Sequence, residues 1–483
     1  MSDKLNEREP SESTPAVASE LQIPSPRVLE RRVRALGCCF FLLFFSYISI
    51  QQLQSSINGD LGYYCNLSAY LVFAVSAVTA PYFISRFNSS LGLLLGCSAL
   101  AYVFTMTQNI VVFPGPFMAS CAVVGATAGT LWVGQGAYVA ACAVAVALAT
   151  GEALTDASSR LNGIFFAAFQ FSGCLGGTFA ALLLMFAGPG ALTLLFSILS
   201  SIGFCAMLMF CCLLDPGAPG QKVFAFPSCG FKPTPRVISI STSATPVPTP
   251  LVFIKFLCGS RRLMTVLPLL FSMGAFQAVG FATLTASLVA PALGLSVVSW
   301  MGVVYYFSSF VSTSVASTLA QLPRIGRRWI LAVVGFIWVA CIGAMLAWES
   351  VWPSTGAGAV LPPQQIAYPI LFLFAIVLGS GDGVFFSMIS ATLQTWFPNE
   401  SAFAYAALRS SASLGTAVFC GIGPLVSAST QFIALIIIFC VSALLFTSIH
   451  VYDISIDAKE CSAKSEPVIA AVPELPTILF KGP

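Results

Sequence analysis

Twelve long apolar runs dominate the sequence, six before a polar break at 215–262 and six after it. They read roughly 36–54, 67–85, 91–112, 116–140, 161–187 and 191–214, then 263–290, 294–320, 329–349, 366–396, 404–426 and 429–450. Each is near or above the roughly 20 residues a helix needs to cross the hydrocarbon of a bilayer. Unpaired backbone groups cannot be satisfied in lipid, and these runs are too long for barrel strands, so helices are expected. The apolar stretch 116–150 is read as one span with a helical extension past the membrane, not as two spans.

Composition agrees with lipid as the main solvent. The chain is 57% hydrophobic and 8% charged, with mean hydropathy +0.91, whereas a soluble domain carries about 25% charged residues. A net charge of +3 is too small to suggest a nucleic-acid partner. Of 16 Cys, most lie inside apolar runs, where free Cys acts as a small hydrophobe. Cys65 alone falls near the expected outer surface, so no extracellular disulfide framework is predicted. Cys38–Cys39 and Cys211–Cys212 sit at membrane borders and are read as packing residues before palmitoylation sites. The only His is His450 and there is no CxxC pair, so no metal or cofactor is expected.

Charge placement predicts topology. With the N-terminus in the cytoplasm, alternation through twelve spans puts all 21 Lys and Arg on the cytoplasmic side, and the outer loops hold only Asp60 and Glu349. That bias orients membrane proteins. The expected organisation is a disordered cytoplasmic tail (1–34), a six-helix half (35–214), a cytoplasmic linker (215–262), a second six-helix half (263–450) and a cytoplasmic tail (451–483). The first span serves as an uncleaved anchor, because no signal-peptide core precedes it. Asn66-Leu67-Ser68 is a glycosylation sequon too close to the membrane to be used. Six plus six is the layout of two halves related by an axis along the membrane normal.

An acid inside a membrane helix is costly and usually marks a pathway or an ion site. Asp382, in Gly379-Ser380-Gly381-Asp382-Gly383, is the clear candidate, and the glycines permit either close helix approach or local unwinding. A packing role is the alternative. Gln51, Gln52, Gln54, Gln135, Gln170, Gln277 and Gln394 add amides within the spans. In folds of this layout the first, fourth, seventh and tenth spans line a central cavity, so several amides are candidates to face one solute. Singly, each is as well explained as interhelical glue. Trp132 and Tyr138 flank Gln135 and could line the same pocket. Gly173-Cys174-Leu175-Gly176-Gly177 reads as a close-packing stripe. In the loop Arg324-Ile325-Gly326-Arg327-Arg328 a latch between halves competes with simple topology enforcement, and Glu152, Asp156 and Arg160 are expected on the same surface. No phosphate-cradling or catalytic constellation is present, which argues against an enzyme.

Several of these residues form a familiar pattern. Leu53-Gln54-Ser55-Ser56, Leu131-Trp132 with Gln135 and Tyr138, Gly163-Ile164-Phe165-Phe166 with Phe169-Gln170, and the stretch from Gly379 to Gly415 (Gly-x-Gly-Asp, Phe397-Pro398-Asn399-Glu400, Arg409, Ser413-Leu414-Gly415) resemble the uncoordinated-ninety-three-like, ion-channel regulatory family of the major facilitator superfamily. The resemblance implies an all-α membrane protein with the facilitator fold and no known catalytic activity. Family members are linked to regulation of potassium channels, to trafficking of innate immune receptors and, for some, to solute transport. Phe385-Phe386 and Met388 depart from the pattern, as does the loop 321–328, which lacks the usual Asp.

The expected function is therefore transport or binding of a small solute or cation by alternating access. The site candidates are Asp382, Gln54, Gln135, Gln170, Trp132 and Tyr138. Arg324, Arg327, Arg328, Glu400 and Arg409 are the candidates for a cytoplasmic gate. The alternative is a non-transporting regulator or escort of another membrane protein, such as a potassium channel. Expected partners are the lipid bilayer, a small-molecule or ion ligand and a membrane protein, in the plasma or endolysosomal membrane.

Overall fold

A computed structural model describes residues 25–87, 91–188, 190–213, 249–322, 326–353 and 360–463. The first half of the chain forms α1 (Pro26–Asn58), α2 (Asp60–Arg86), α3 (Leu91–Gln108), α4 (Pro114–Thr150), α5 (Leu154–Phe186) and α6 (Ala191–Leu213). After a short α7 (Pro250–Gly259), the second half opens with α8 (Arg261–Ala278). It runs through the π-helical stretch Val279–Val289 into α9 (Ala290–Leu293), and α10 (Leu295–Leu319), α11 (Arg327–Val351), α12 (Gln364–Trp396), α13 (Ser401–Ile422) and α14 (Ala428–Ala463) follow.

Among the described residues, ten helical segments are long and apolar enough to cross a membrane. The two other spans expected from sequence are α10 and α13, of 25 and 22 residues. Their many serines lower hydropathy, and several of the hydroxyls are satisfied on backbone carbonyls. Ser308 donates to the Tyr305 carbonyl at 2.8 Å, Ser312 to that of Ser380 at 2.9 Å and Ser411 to that of Leu267 at 2.8 Å. Hydroxyls satisfied on helix carbonyls are compatible with lipid and help hold helices together. With these two the arrangement matches twelve spans. At 37 residues α4 is a single helix, about 55 Å long at 1.5 Å per residue, so it overshoots the hydrocarbon.

Helix ends differ from the expected boundaries. α1 starts at Pro26, inside the expected tail, with Pro in its first turn as helices favour. Its Leu29, Val33 and Leu36 are buried, an apolar stripe at helical spacing beneath the basic residues. α7 lies inside the expected linker, and the Thr249 hydroxyl accepts from the Val252 N–H at 3.3 Å to cap it. α14 continues to Ala463, beyond the expected start of the tail.

The two halves meet where α2 packs on α13, and where α5 packs on α10 and α12. Small residues of α5 make the approach to α10 possible, with Gly173 under the Tyr306 ring and Gly177 on Val303, while Gly176 admits the Phe45 carbonyl of α1 within the first half. The Gly379–Gly383 segment does not unwind; α12 is continuous through it. Its glycines instead admit the Tyr305 carbonyl, the Trp338 ring and Ser309 against the helix backbone. Cys65 is not at the surface but buried in a small cluster with Ala69, Phe117 and Cys121. Asn66 of the sequon is buried beside it, at 2% exposure.

Candidate functional site

A central cavity of about 70 Å³ lies between the two halves. A single water needs roughly 10–15 Å³ on this measure, so the space admits several waters or one small solute. Tyr47, Gln51 and Phe44 reach it from α1, Tyr70 from α2, Trp132 from α4, Gln170 and Phe169 from α5, Gln277 from α8 and Tyr306 from α10. Asp382 and Phe386 reach it from α12, and Arg409 from α13.

The lining combines an aromatic wall with two opposite charges. Asp382 and Arg409 are 2% and 7% exposed. Among the described residues no ion pair joins them, whereas Arg34 pairs with Glu30 and Arg160 with Glu30 and Glu152. Gln170 and Tyr305 approach the Asp382 carboxylate, and Arg409 acts on it electrostatically. The Arg409 guanidinium lies 4.1 Å from the Trp132 ring centroid and 5.2 Å from that of Phe386. Cation–π contact of this kind compensates part of the cost of burying a guanidinium. Trp132 is itself held by Phe44 and Phe169, each with a ring centroid 5.0 Å away.

Contacts between the halves lie on both sides of the cavity. At the end where α1, α5 and α11 begin, here called the basic end, Arg327 reaches from α11 across the halves. It donates to the Ser159 hydroxyl at 3.1 and 2.7 Å, to the Thr155 carbonyl and to the Thr395 hydroxyl at 3.2 Å. A ring of three side chains lies nearby. Asn162 donates to Gln394 at 2.7 Å, Gln394 to the Tyr405 hydroxyl at 2.7 Å and that hydroxyl to Asn162 at 3.3 Å. At the opposite end the Tyr63 hydroxyl donates to the Ala282 carbonyl at 3.2 Å, Gln52 presses on Gly302, and Trp300 Nε1 donates to Met185 at 3.5 Å.

Of the residues expected at a solute site, Asp382, Gln170 and Trp132 share this cavity. Gln54 instead donates to Cys121 Sγ at 3.9 Å. Gln135 is fully buried outside the cavity, and Tyr138, on the same helix, is also outside it. Each of the two glutamines trails a cavity residue, Gln51 or Trp132, by three positions. That is about 60° short of a full turn and one turn along the axis. Gln51 and Gln277 face the cavity, whereas Gln394 belongs to the ring at the basic end.

The gate candidates also separate. Arg327 bridges the halves, Arg328 and Glu400 are exposed and join no such bridge, and Arg324 lies outside the described residues. Arg409 requires correction: expected at the cytoplasmic surface, it lies within α13 and faces the cavity. The error came from counting every basic residue as a topology marker. Its signal in the sequence was a second intramembrane charge, opposite in sign to Asp382. The cavity face of α1 was legible too, because Phe44, Tyr47, Ile48 and Gln51 follow helical spacing.

Comparisons with known proteins bear on the family and the fold. The family model described as ion channel regulatory protein UNC-93 matches residues 53–447. The chain is 26% identical over 443 residues to UNC93-like protein 3 of Arabidopsis thaliana, covering 90% of this chain and 89% of that one. It superposes on the nucleoside transporter NupG with TM-score 0.57 at 14% identity, over 87% of this chain and 99% of that one. For the E. coli fucose:proton symporter FucP the TM-score is 0.55 at 13% identity, over 88% and 98%. The chain thus belongs to the UNC-93 family of ion channel regulatory proteins and is built on the major facilitator fold.

Proposed function

We propose that this protein binds a small polar solute in its central cavity and exposes it by turns to the two sides of the membrane as the halves rock. The observation that carries the reading is Asp382 and Arg409, with no ion pair between them, in one cavity between the two halves. Ionisable groups at this depth are expensive to bury and are characteristic of ion and substrate pathways. Asp382 and Gln170 serve as polar contacts, and Trp132 holds Arg409 in place. The reading takes the two six-helix halves as the rocking bodies. It places the basic end and both termini in the cytoplasm, following the distribution of Lys and Arg.

The family's description as ion channel regulatory favours a second reading, in which solute occupancy selects the conformation that a partner channel senses. The experiment is thermal stabilisation of the purified full chain across ions and small solutes, beside Asp382→Asn and Arg409→Gln. A saturable rise in Tm that both variants lose is the expected result. A flat response from a folded wild-type sample defeats solute binding and leaves capture of a membrane-protein partner as the test of the regulator.

A further inference from the structure

Resting on the reading of the cavity as a solute site, we infer that its ligand is a small zwitterion of the amino-acid kind, with a primary ammonium close to a carboxylate. Four buried polar atoms on cavity-lining side chains have no hydrogen-bond partner among the described residues: Arg409 Nε and Nη2, Asp382 Oδ1 and Gln170 Oε1. A buried polar atom left unpaired carries a desolvation penalty, so four in one cavity define what would complement them.

The four divide by chemistry. Arg409 Nε and Nη2 are donors on one edge of the guanidinium, the edge that grips a carboxylate through two parallel hydrogen bonds. Asp382 Oδ1 and Gln170 Oε1 accept, and they call for a group with several N–H donors and positive charge. An inorganic cation would satisfy the acceptors and leave the arginine unmet, and a simple anion would do the reverse. A neutral polyol could bond to all four, yet would neutralise neither charge. One molecule carrying both a carboxylate and an ammonium meets every condition. The volume of about 70 Å³ restricts it to a short side chain or none.

The aromatic wall fits the same ligand. The Arg409 guanidinium carbon lies over the Trp132 ring and near that of Phe386, contacts that leave its in-plane N–H groups available for a bidentate grip. Phe44, Tyr47, Tyr70, Tyr102 and Phe169 line the cavity without adding a further charge.

The test measures Tm of the full chain with glycine, L-alanine, glycine betaine, acetate, methylammonium and KCl as separate probes. Glycine and alanine should raise Tm saturably. Betaine, which keeps both charges but has no N–H donor, should be at least about tenfold weaker, as loss of a charged hydrogen bond implies. Gln170→Leu, similar in shape but without the acceptor and without the amide N–H that approaches Asp382, should weaken glycine by a similar factor and lower the ligand-free Tm. If KCl, acetate or methylammonium shifts Tm while glycine and alanine do not, the zwitterion is overturned and the solute site stands. If betaine matches glycine, the acceptor roles of Asp382 and Gln170 are overturned. Silence from all six probes overturns the zwitterion. Silence across the wider set of ions and solutes overturns the solute site as well.

Discussion

At the scale of the residue, the balance of charge against its surroundings separates two kinds of acid in this chain. Glu152 lies between α4 and α5, and Arg160 grips it with two hydrogen bonds of 2.8 and 2.7 Å. Those bonds hold its carboxyl below the ordinary carboxylate range. A carboxylate whose pKa falls on folding stabilises the folded state above its unfolded pKa, about 4.3 for Glu. That contribution is lost as pH falls through the lower folded value. The pair is partly exposed, with side chains 31% and 23% accessible, so it is worth at most about 1 kcal/mol. Glu152→Gln should therefore lower stability by no more than that at pH 7. The difference should vanish when thermal melts are repeated under acid conditions; a difference that persists there would assign the loss to packing. Asp382 stands in the opposite situation, within α12 and facing a cavity with no cation in contact, which is why its partner is sought in a ligand.

At the scale of the element, helix approach depends on glycines of two kinds. A Cβ on Gly274 of α8 would overlap the Ala412 carbonyl of α13, where neither backbone can yield without moving a helix. Gly343 of α11 has nothing near the place a Cβ would occupy. Gly274→Ala should destabilise by about 1–3 kcal/mol, the usual cost of overpacking. Gly343→Ala should be neutral or stabilise by up to about 1 kcal/mol through helix propensity. Thermal melts of the two variants in one detergent check both signs together, and equal losses would show that propensity or expression, not contact, governs the outcome. The same scale explains α10 and α13. Their serines make them less apolar than the other spans, and several hydroxyls are satisfied on carbonyls of neighbouring helices, within the second half for Ser312 and Ser411 and across to α2 for Ser410.

At the scale of the molecule, the halves touch on both sides of the cavity, and the two sets of contacts rest on different physics. The opposite end relies on packing and a few neutral contacts, whereas the basic end adds the cationic grip of Arg327 and the Asn162–Gln394–Tyr405 ring. Arg327→Ala should therefore shift the population toward opening at the basic end. It removes bonds to both α5 and α12 and leaves the cavity lining unchanged. Spin-label distances between the starts of α5 and α11 should broaden and lengthen in that variant, while distances across the opposite end hold or shorten. Unchanged distances at both ends would show that the ring alone keeps the basic end shut.

The class of fold was readable in the chain, because bilayer thickness imposes a length on every apolar run and the distribution of basic residues is a one-dimensional signal. The long run 116–150 could likewise be read as one helix, since neither a Pro nor a charged residue falls between Phe117 and Gly151. Membership of the family showed in short patterns such as Leu131-Trp132 and Gly379-x-Gly381-Asp382. Asp382 drew attention by its cost alone. Which amides join it could not be read in the same way, because a residue's facing depends on the rotation and tilt of its helix, set by neighbours distant in sequence. Gln51 and Gln54 look alike in the sequence; a difference of about 60° and one turn sends one to the cavity and the other to Cys121. Arg409 is the sharpest case. Read alone it is one more topology marker, and only the packing of α13 against α2 and α8 carries it to the cavity that Asp382 also lines.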